Sequence, residues 1–258
     1  MSPKPLAGRS IVVTRPAHQA QAFARLVREA GGRPILFPTI EIRGIDDPRP
    51  FLRIVDRLDE FDLAVFVSPN AVERALGLIA ARRELPRRLQ IAAVGSGSVR
   101  ALERFGITGV TAPQGRSDTE ALVELPELAA MRGKRIVIFR GAGGRELLGV
   151  TLRERGATVE YAECYRRVKP GLDAAPLLEI WARDGVDAVT ATSSEGLRNL
   201  AEMIGPEGRE RLADTPLFVP HPRIAEAAHE LAVRKVIVTG PGDDGMLTGL
   251  AAHFGAQR

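Results

Sequence analysis

The chain says nearly the same thing twice, 125 positions apart: Gly8, Arg15, Asp62 and Ser68 are matched by Gly133, Arg140, Asp187 and Ser193. The segments around them agree as well, GRSIVVTRPA with GKRIVIFRGA and DLAVFVSPNAVERAL with DAVTATSSEGLRNL. Four ungapped coincidences at one spacing point to two similar units. In 258 residues each unit has about 120 to 130, enough to bury its own core. Two such units facing each other would make a cleft lined by equivalent loops, suited to a large and roughly symmetric ligand.

Short apolar runs alternate with longer helical patterns, the mark of an α/β protein with parallel sheets. Strands are predicted at 10–14, 33–37, 63–67, 90–94 and 109–111, then at 135–139, 158–162, 188–191, 217–219 and 235–238. Between them lie amphipathic stretches such as 17–30, where Ala20, Phe23, Ala24, Val27 and Ala30 share one face before Gly31 supplies a stop. Five strands per half with intervening helices predict two doubly wound, flavodoxin-like units, with the chemistry in loops at the strand C-termini. Ser117 with Glu120 reads as a capping box. Two extended, polar stretches, 38–44 and 163–170, occupy matching places and are the best linker candidates. A cut near Met131, between the repeats, is the simpler division, and periodicity does not choose between them.

Composition narrows the function. Apolar residues at 45% and charged residues at 26% are ordinary for a soluble globular chain. The longest apolar runs fall far short of the ~18 residues a membrane span needs, and the N-terminus has no signal-type apolar core, so the expectation is a cytoplasmic protein that does not engage a membrane. Cys164 is the only cysteine, which excludes an intramolecular disulfide and multi-cysteine metal sites. The four histidines show no zinc-hydrolase spacing, so no metal is expected. The formal charge is +4, and of 36 basic residues only Lys4, Lys134, Lys169 and Lys235 are lysines. Arginine forks bind carboxylate or phosphate at two points. No basic run with interleaved aromatics marks a nucleic-acid face.

The glycine-rich loops are not dinucleotide or Walker loops. Gly95-Ser96-Gly97 has Arg100 and Gly141-Ala142-Gly143 has Glu146 where the third glycine is required, and no Gly-Lys-Ser/Thr occurs. What remains is small residues before helices, whose free N–H groups favour anions. Ser68, Ser98, Ser193 and Ser194 are each either a helix cap or a hydroxyl offered to a ligand. None has a histidine partner or a G-x-S-x-G elbow, so none reads as an activated nucleophile. Arg15 and Arg140 follow central strands, where they would point at a ligand or stand as solvated charges, and Arg145 lies one turn further on. Tyr165, in the second linker candidate, is either packing or a phenol able to protonate a leaving hydroxyl.

Taken together, Ile11 to Pro16 (IVVTRP), Phe66 to Val72 (FVSPNAV), Ala93-Val94-Gly95 followed by Ser98, and Arg140 to Arg145 resemble the uroporphyrinogen-III synthase family. Gly156-Ala157 leading to Tyr165-Arg166, then Thr192-Ser193-Ser194 and the helix after Pro241-Gly242-Asp243 extend the resemblance over essentially the whole chain. It implies two flavodoxin-like domains, residues 1–38 with 170–258 and residues 39–169, joined by a two-stranded linker that the chain crosses twice. It further implies a cofactor-free, monomeric lyase of heme and other tetrapyrrole biosynthesis, whose ligand is hydroxymethylbilane, a linear tetrapyrrole polycarboxylate. By the same resemblance Tyr165 assists hydroxyl departure, while Ser68, Ser98, Thr192, Ser193, Ser194, Arg15, Arg140, Arg145 and Arg223 contact substrate. The chain departs from the family at His221-Pro222-Arg223-Ile224, where Ile224 replaces a hydroxyl. The competing expectations are a non-catalytic two-domain binder of a small anion, and a nucleotide-sugar transferase.

Overall fold

The computed structural model describes residues 4–116 and 118–256; Ser117, and the capping box it would open, lies outside the described residues. In chain order the elements are β1 (Ser10–Val13), α1 (Ala17–Glu29), β2 (Arg33–Leu36), β3 (Glu41–Arg43), α2 (Arg49–Asp56), β4 (Leu63–Phe66), α3 (Pro69–Ala80), β5 (Gln90–Ala93) and α4 (Ser96–Arg104). There follow α5 (Thr119–Val123), β6 (Arg135–Gly141), α6 (Leu147–Glu154), β7 (Thr158–Val168), α7 (Ala175–Arg183) and β8 (Ala188–Thr190). The chain ends with α8 (Ser194–Met203), α9 (Gly205–Asp214), β9 (Leu217–Val219), α10 (Pro222–Glu230), β10 (Val236–Val238) and α11 (Gly242–Gly255).

Two compact units result, Met1–Glu41 with Val168–Arg258, and Ile42–Arg167. The first carries a sheet in the order β10-β9-β8-β1-β2, with parallel pairing throughout. The second carries β3-β7-β6-β4-β5, parallel from β7 to β5. Strand register reproduces the sequence repeat residue for residue. Ser10 opposite Arg33 is mirrored by Arg135 opposite Thr158, and Ile11 opposite Ala188 by Ile136 opposite Leu63. Each sheet thus pairs strands from one half of the repeat with strands from the other, and each unit is a permuted version of its counterpart.

The repeated spacing has local causes. Gly8 and Gly133 both hold left-handed φ, +76° and +74°, in the turn entering β1 and β6, a conformation that costs glycine least. Asp187 Oδ2 accepts the Ser10 N–H at 2.8 Å, and Asp62 Oδ2 accepts the Arg135 N–H at 2.8 Å. The same two aspartates donate their own N–H groups to the Ser10 and Arg135 carbonyls at 2.9 Å. Each aspartate therefore clamps the start of two adjacent central strands.

Both sheets are covered on both faces, so their central strands read as unbroken apolar runs. In the second unit Ala64, Phe66, Val137 and Phe139 face α3, with Phe66 and Phe139 stacked at 4.8 Å, while Leu63, Val65, Ile136 and Ile138 face Leu148 and Leu152 of α6. In the first unit Val12, Val189 and Val219 pack with Trp181 and Leu200, and Ile11, Val13 and Phe218 with Phe23 and Leu250. Two predicted elements change. The run at 109–111 is only an isolated bridge from Thr111 to Ala92, because Gly109 turns the chain with φ +69°. The strand predicted at 158–162 continues to Val168, since β7 has β6 on one side and β3 on the other to satisfy its backbone.

Candidate functional site

The loops that follow the parallel strands hold the residues of interest. Ser68 follows β4 with extended backbone, and its Oγ accepts the Ala71 N–H at 3.1 Å, capping α3; Pro69, at the first helical position, has no N–H to satisfy. Ser193 repeats this after β8, accepting the Gly196 N–H at 3.0 Å. Both serines therefore cap. Ser68 does one thing more: its Oγ lies 3.1 Å from the Tyr165 hydroxyl.

Tyr165 is entirely buried in the core of the second unit. Arg167 Nη2 donates to its hydroxyl at 3.2 Å, with the guanidinium 5.7 Å from the ring centre. The ring lies on Gly141, its partner across the β6–β7 pair, where a Cβ would sit 2.7 Å from the ring carbons. A register shift between Arg140 and Gly141 admits the side chain at this point.

Arg15 and Arg140, equivalent in the repeat, are neither solvated nor unengaged. Arg140 is 7% exposed; it pairs with Glu146 at 2.8 Å and Glu163 at 3.3 Å and lies 4.0 Å over the Tyr161 ring. Arg15 pairs with Asp243 and lies 4.6 Å over the Phe23 ring. In both, Nε is buried with no hydrogen-bond acceptor. Arg145 is exposed and pairs with Glu120 at 3.3 Å.

Ser98 is buried in the first turn of α4, its N–H bonded to the Gly95 carbonyl at 2.9 Å. In the first unit Thr192 is exposed, and Ser194 Oγ donates to the Arg223 carbonyl at 3.4 Å, tying the β8 and β9 loops together. Arg223 is exposed, and its N–H is accepted by His221 Nδ1 at 3.1 Å. His221 thus caps α10, a role that sequence reasoning missed although a polar residue before Pro222 was the available signal. Ile224 is buried in the core. Burial pushes the Cys164 thiol up to about 12. Among the described residues, no group of three or more His, Cys, Asp or Glu could hold a metal ion, and no helix is long and apolar enough to cross a membrane.

Fold and loops define an α/β protein with two parallel sheets whose strand ends present capped helix N-termini, hydroxyls and guanidiniums. The family model described as uroporphyrinogen-III synthase HemD matches residues 21–248, and the chain belongs to that family. It is 34% identical to the uroporphyrinogen-III synthase of Escherichia coli K12 over 240 residues, 92% of this chain and 98% of the relative. It is 35% identical to that of Salmonella typhimurium LT2 over 241 residues, with the same coverage. Solved structures of a mutant uroporphyrinogen III synthase from Thermus thermophilus (TM-score 0.63, 20% identity, 97% of this chain and 100% of that one) and of uroporphyrinogen-III synthetase from Helicobacter pylori 26695 (TM-score 0.62, 14% identity, 97% and 100%) share the fold.

Proposed function

We propose that the protein cyclises hydroxymethylbilane to uroporphyrinogen III, with loss of water and inversion of the last pyrrole ring. The observation that carries this reading is the colinear match to the enzymes of that name, at 34% identity over 92% of the chain. The terminal hydroxyl of the substrate departs as water and leaves an electrophilic azafulvene. The substituted carbon of the last pyrrole attacks it, giving a spiro intermediate that fragments and recloses with that ring turned over. The substrate brings most of the reactivity, so the protein's task is to orient the chain and assist the departing hydroxyl.

Groups suited to the carboxylates of the substrate are, in the second unit, the exposed Arg145 and the helix N-terminus capped by Ser68, and, in the first unit, the exposed Thr192 and Arg223 and the helix N-terminus capped by Ser193. Ser98 and Ser194 shape the neighbouring loops, and Arg15 and Arg140, each ion-paired with carboxylates, hold the base of theirs. Tyr165 supplies the proton for hydroxyl departure. The reaction needs no added metal or cofactor, and the enzyme works as a cytoplasmic monomer that binds neither nucleic acid nor membrane.

The same reading makes the two units flavodoxin-like domains, residues 1–38 with 170–258 and 39–169, joined by a two-stranded linker. Its support in the first unit is the spatial order β2-β1-β8-β9-β10, which follows the 2-1-3-4-5 winding of flavodoxin. Purified protein incubated with freshly made hydroxymethylbilane is expected to yield the type III macrocycle, read as oxidised porphyrin by chromatography. Obtaining only the uninverted type I isomer would overturn the assignment. A non-catalytic anion binder would leave the hydrogen bonds that Ser68 and Arg167 make to the buried Tyr165 hydroxyl without a role.

A further inference from the structure

Tyr165 has no exposed surface, whereas Ser68, whose Oγ lies 3.1 Å from the phenol oxygen, is partly exposed at the head of α3. The phenol oxygen already accepts Arg167 Nη2 at 3.2 Å, and Ser68 Oγ already accepts the Ala71 N–H at 3.1 Å. Neither of those donors can accept in return. The phenol proton therefore has Ser68 Oγ as its acceptor, which leaves the serine's own proton to be donated elsewhere. We propose that Ser68, Tyr165 and Arg167 form a proton relay in which Ser68 touches the departing hydroxyl of the substrate, Tyr165 acts through Ser68, and Arg167 is a positioning residue for the phenol.

This rests on the reaction proposed above. Ser68 gives its proton to the substrate hydroxyl as the carbon–oxygen bond breaks, its electron pair leaving with the water. Ser68 Oγ takes the Tyr165 proton at the same time, and the resulting phenolate is held by the Arg167 guanidinium. When the macrocycle closes, the pyrrole carbon that forms the new bond loses a proton, which returns through Ser68 to the phenolate. The sum is loss of one water, with no oxidant or reductant consumed.

The internal repeat supplies a control. Ser193 makes the same helix cap in the first unit, and the position 125 residues before Tyr165 is Ile40, also buried. Its Cδ1 lies 3.5 Å from where a Cβ on Gly196, the counterpart of Ala71, would stand. The fold thus accepts an aliphatic side chain here, and packing does not require a tyrosine.

The test is a double-mutant cycle with hydroxymethylbilane. Ser68→Gly, chosen because glycine is a tolerable cap, and Tyr165→Phe are each expected to lower kcat roughly 100-fold with KM little changed. The double variant is expected to be no slower than the slower single one. Ser68→Thr keeps a hydroxyl and should restore most of the rate, and Arg167→Lys should outperform Arg167→Leu. Losses that multiply in the double variant would overturn the relay and make Tyr165 a direct donor. A wild-type rate for Tyr165→Phe would instead remove that residue from the reaction, and type I product from the wild-type protein would overturn the function itself. Independently of activity, the chain has only two tyrosines, so ζ-13C-tyrosine labelling gives two resonances, and Tyr165→Phe identifies one. That resonance should move in Ser68→Gly and in Arg167→Leu; if it stays in place in both, the hydrogen-bonded triad is wrong.

Discussion

Gly141 shows how much of the site turns on single atoms. A Cβ there would lie 2.7 Å from two ring carbons of the fully buried Tyr165, so Gly141→Ala must displace the ring. We expect a loss of about 1–3 kcal/mol in urea unfolding, together with slower turnover; unchanged values in both would show that the ring can shift freely. Cys164 gives a second expectation. Burial pushes its thiol up to about 12 from an ordinary value near 9. The folded state therefore favours the neutral thiol, a contribution fully present below about pH 9 and lost as pH rises toward 12. Stability should fall more steeply over that window in the wild type than in Cys164→Ala, and in native protein at neutral pH the thiol should resist disulfide reagents. At this scale the sequence identified Ser68, Ser193 and Tyr165 as positions of interest. It did not reveal that Arg15 and Arg140 are laid on aromatic rings and paired with carboxylates, because Asp243 and Glu163 are distant along the chain.

At the scale of elements, the aspartate clamps explain why two acidic residues recur at a fixed spacing. The Arg135 N–H, ahead of the other contributors, holds the Asp62 carboxyl below its usual range. A depressed carboxyl contributes stability above its unfolded pKa, about 3.9, and loses it as pH falls through the folded value. Asp62→Ala should cost ~1 kcal/mol at pH 7, discounted because the side chain is 41% exposed, and should cost less as pH falls below the ordinary carboxylate range. Equal costs at pH 7 and below that range would show that the clamp is not electrostatic. Strand positions were legible to within a few residues because sheets buried on both faces demand continuous apolar runs, as in LAVF and RIVIF. The end of β7 was not legible, since Glu163 to Val168 is polar and owes its extended form to pairing partners remote in sequence.

For the whole molecule, the exchanged pairing predicts which pieces of chain can stand alone. Residues 42–167 contain β4 to β7 with both covering cores, and should unfold cooperatively when expressed by themselves. Residues 1–131, one complete copy of the sequence repeat, hold β1 and β4 without the central neighbours β8 and β6, and should lack a cooperative transition in circular dichroism. The reverse result would restore the division at Met131. The sequence alone determined that there are two similar α/β units, which loops carry hydroxyls and guanidiniums, and which family the chain resembles, because apolar periodicity, glycine turns and short motifs are local properties. Only the tertiary structure decided which half-repeat pairs with which, and that one of the two equivalent serines meets a buried tyrosine whose hydroxyl also accepts from an arginine. Those outcomes depend on hydrogen bonds between residues far apart in the chain, such as Ser10 with Asp187 and Ser68 with Tyr165, and no local pattern encodes the partner.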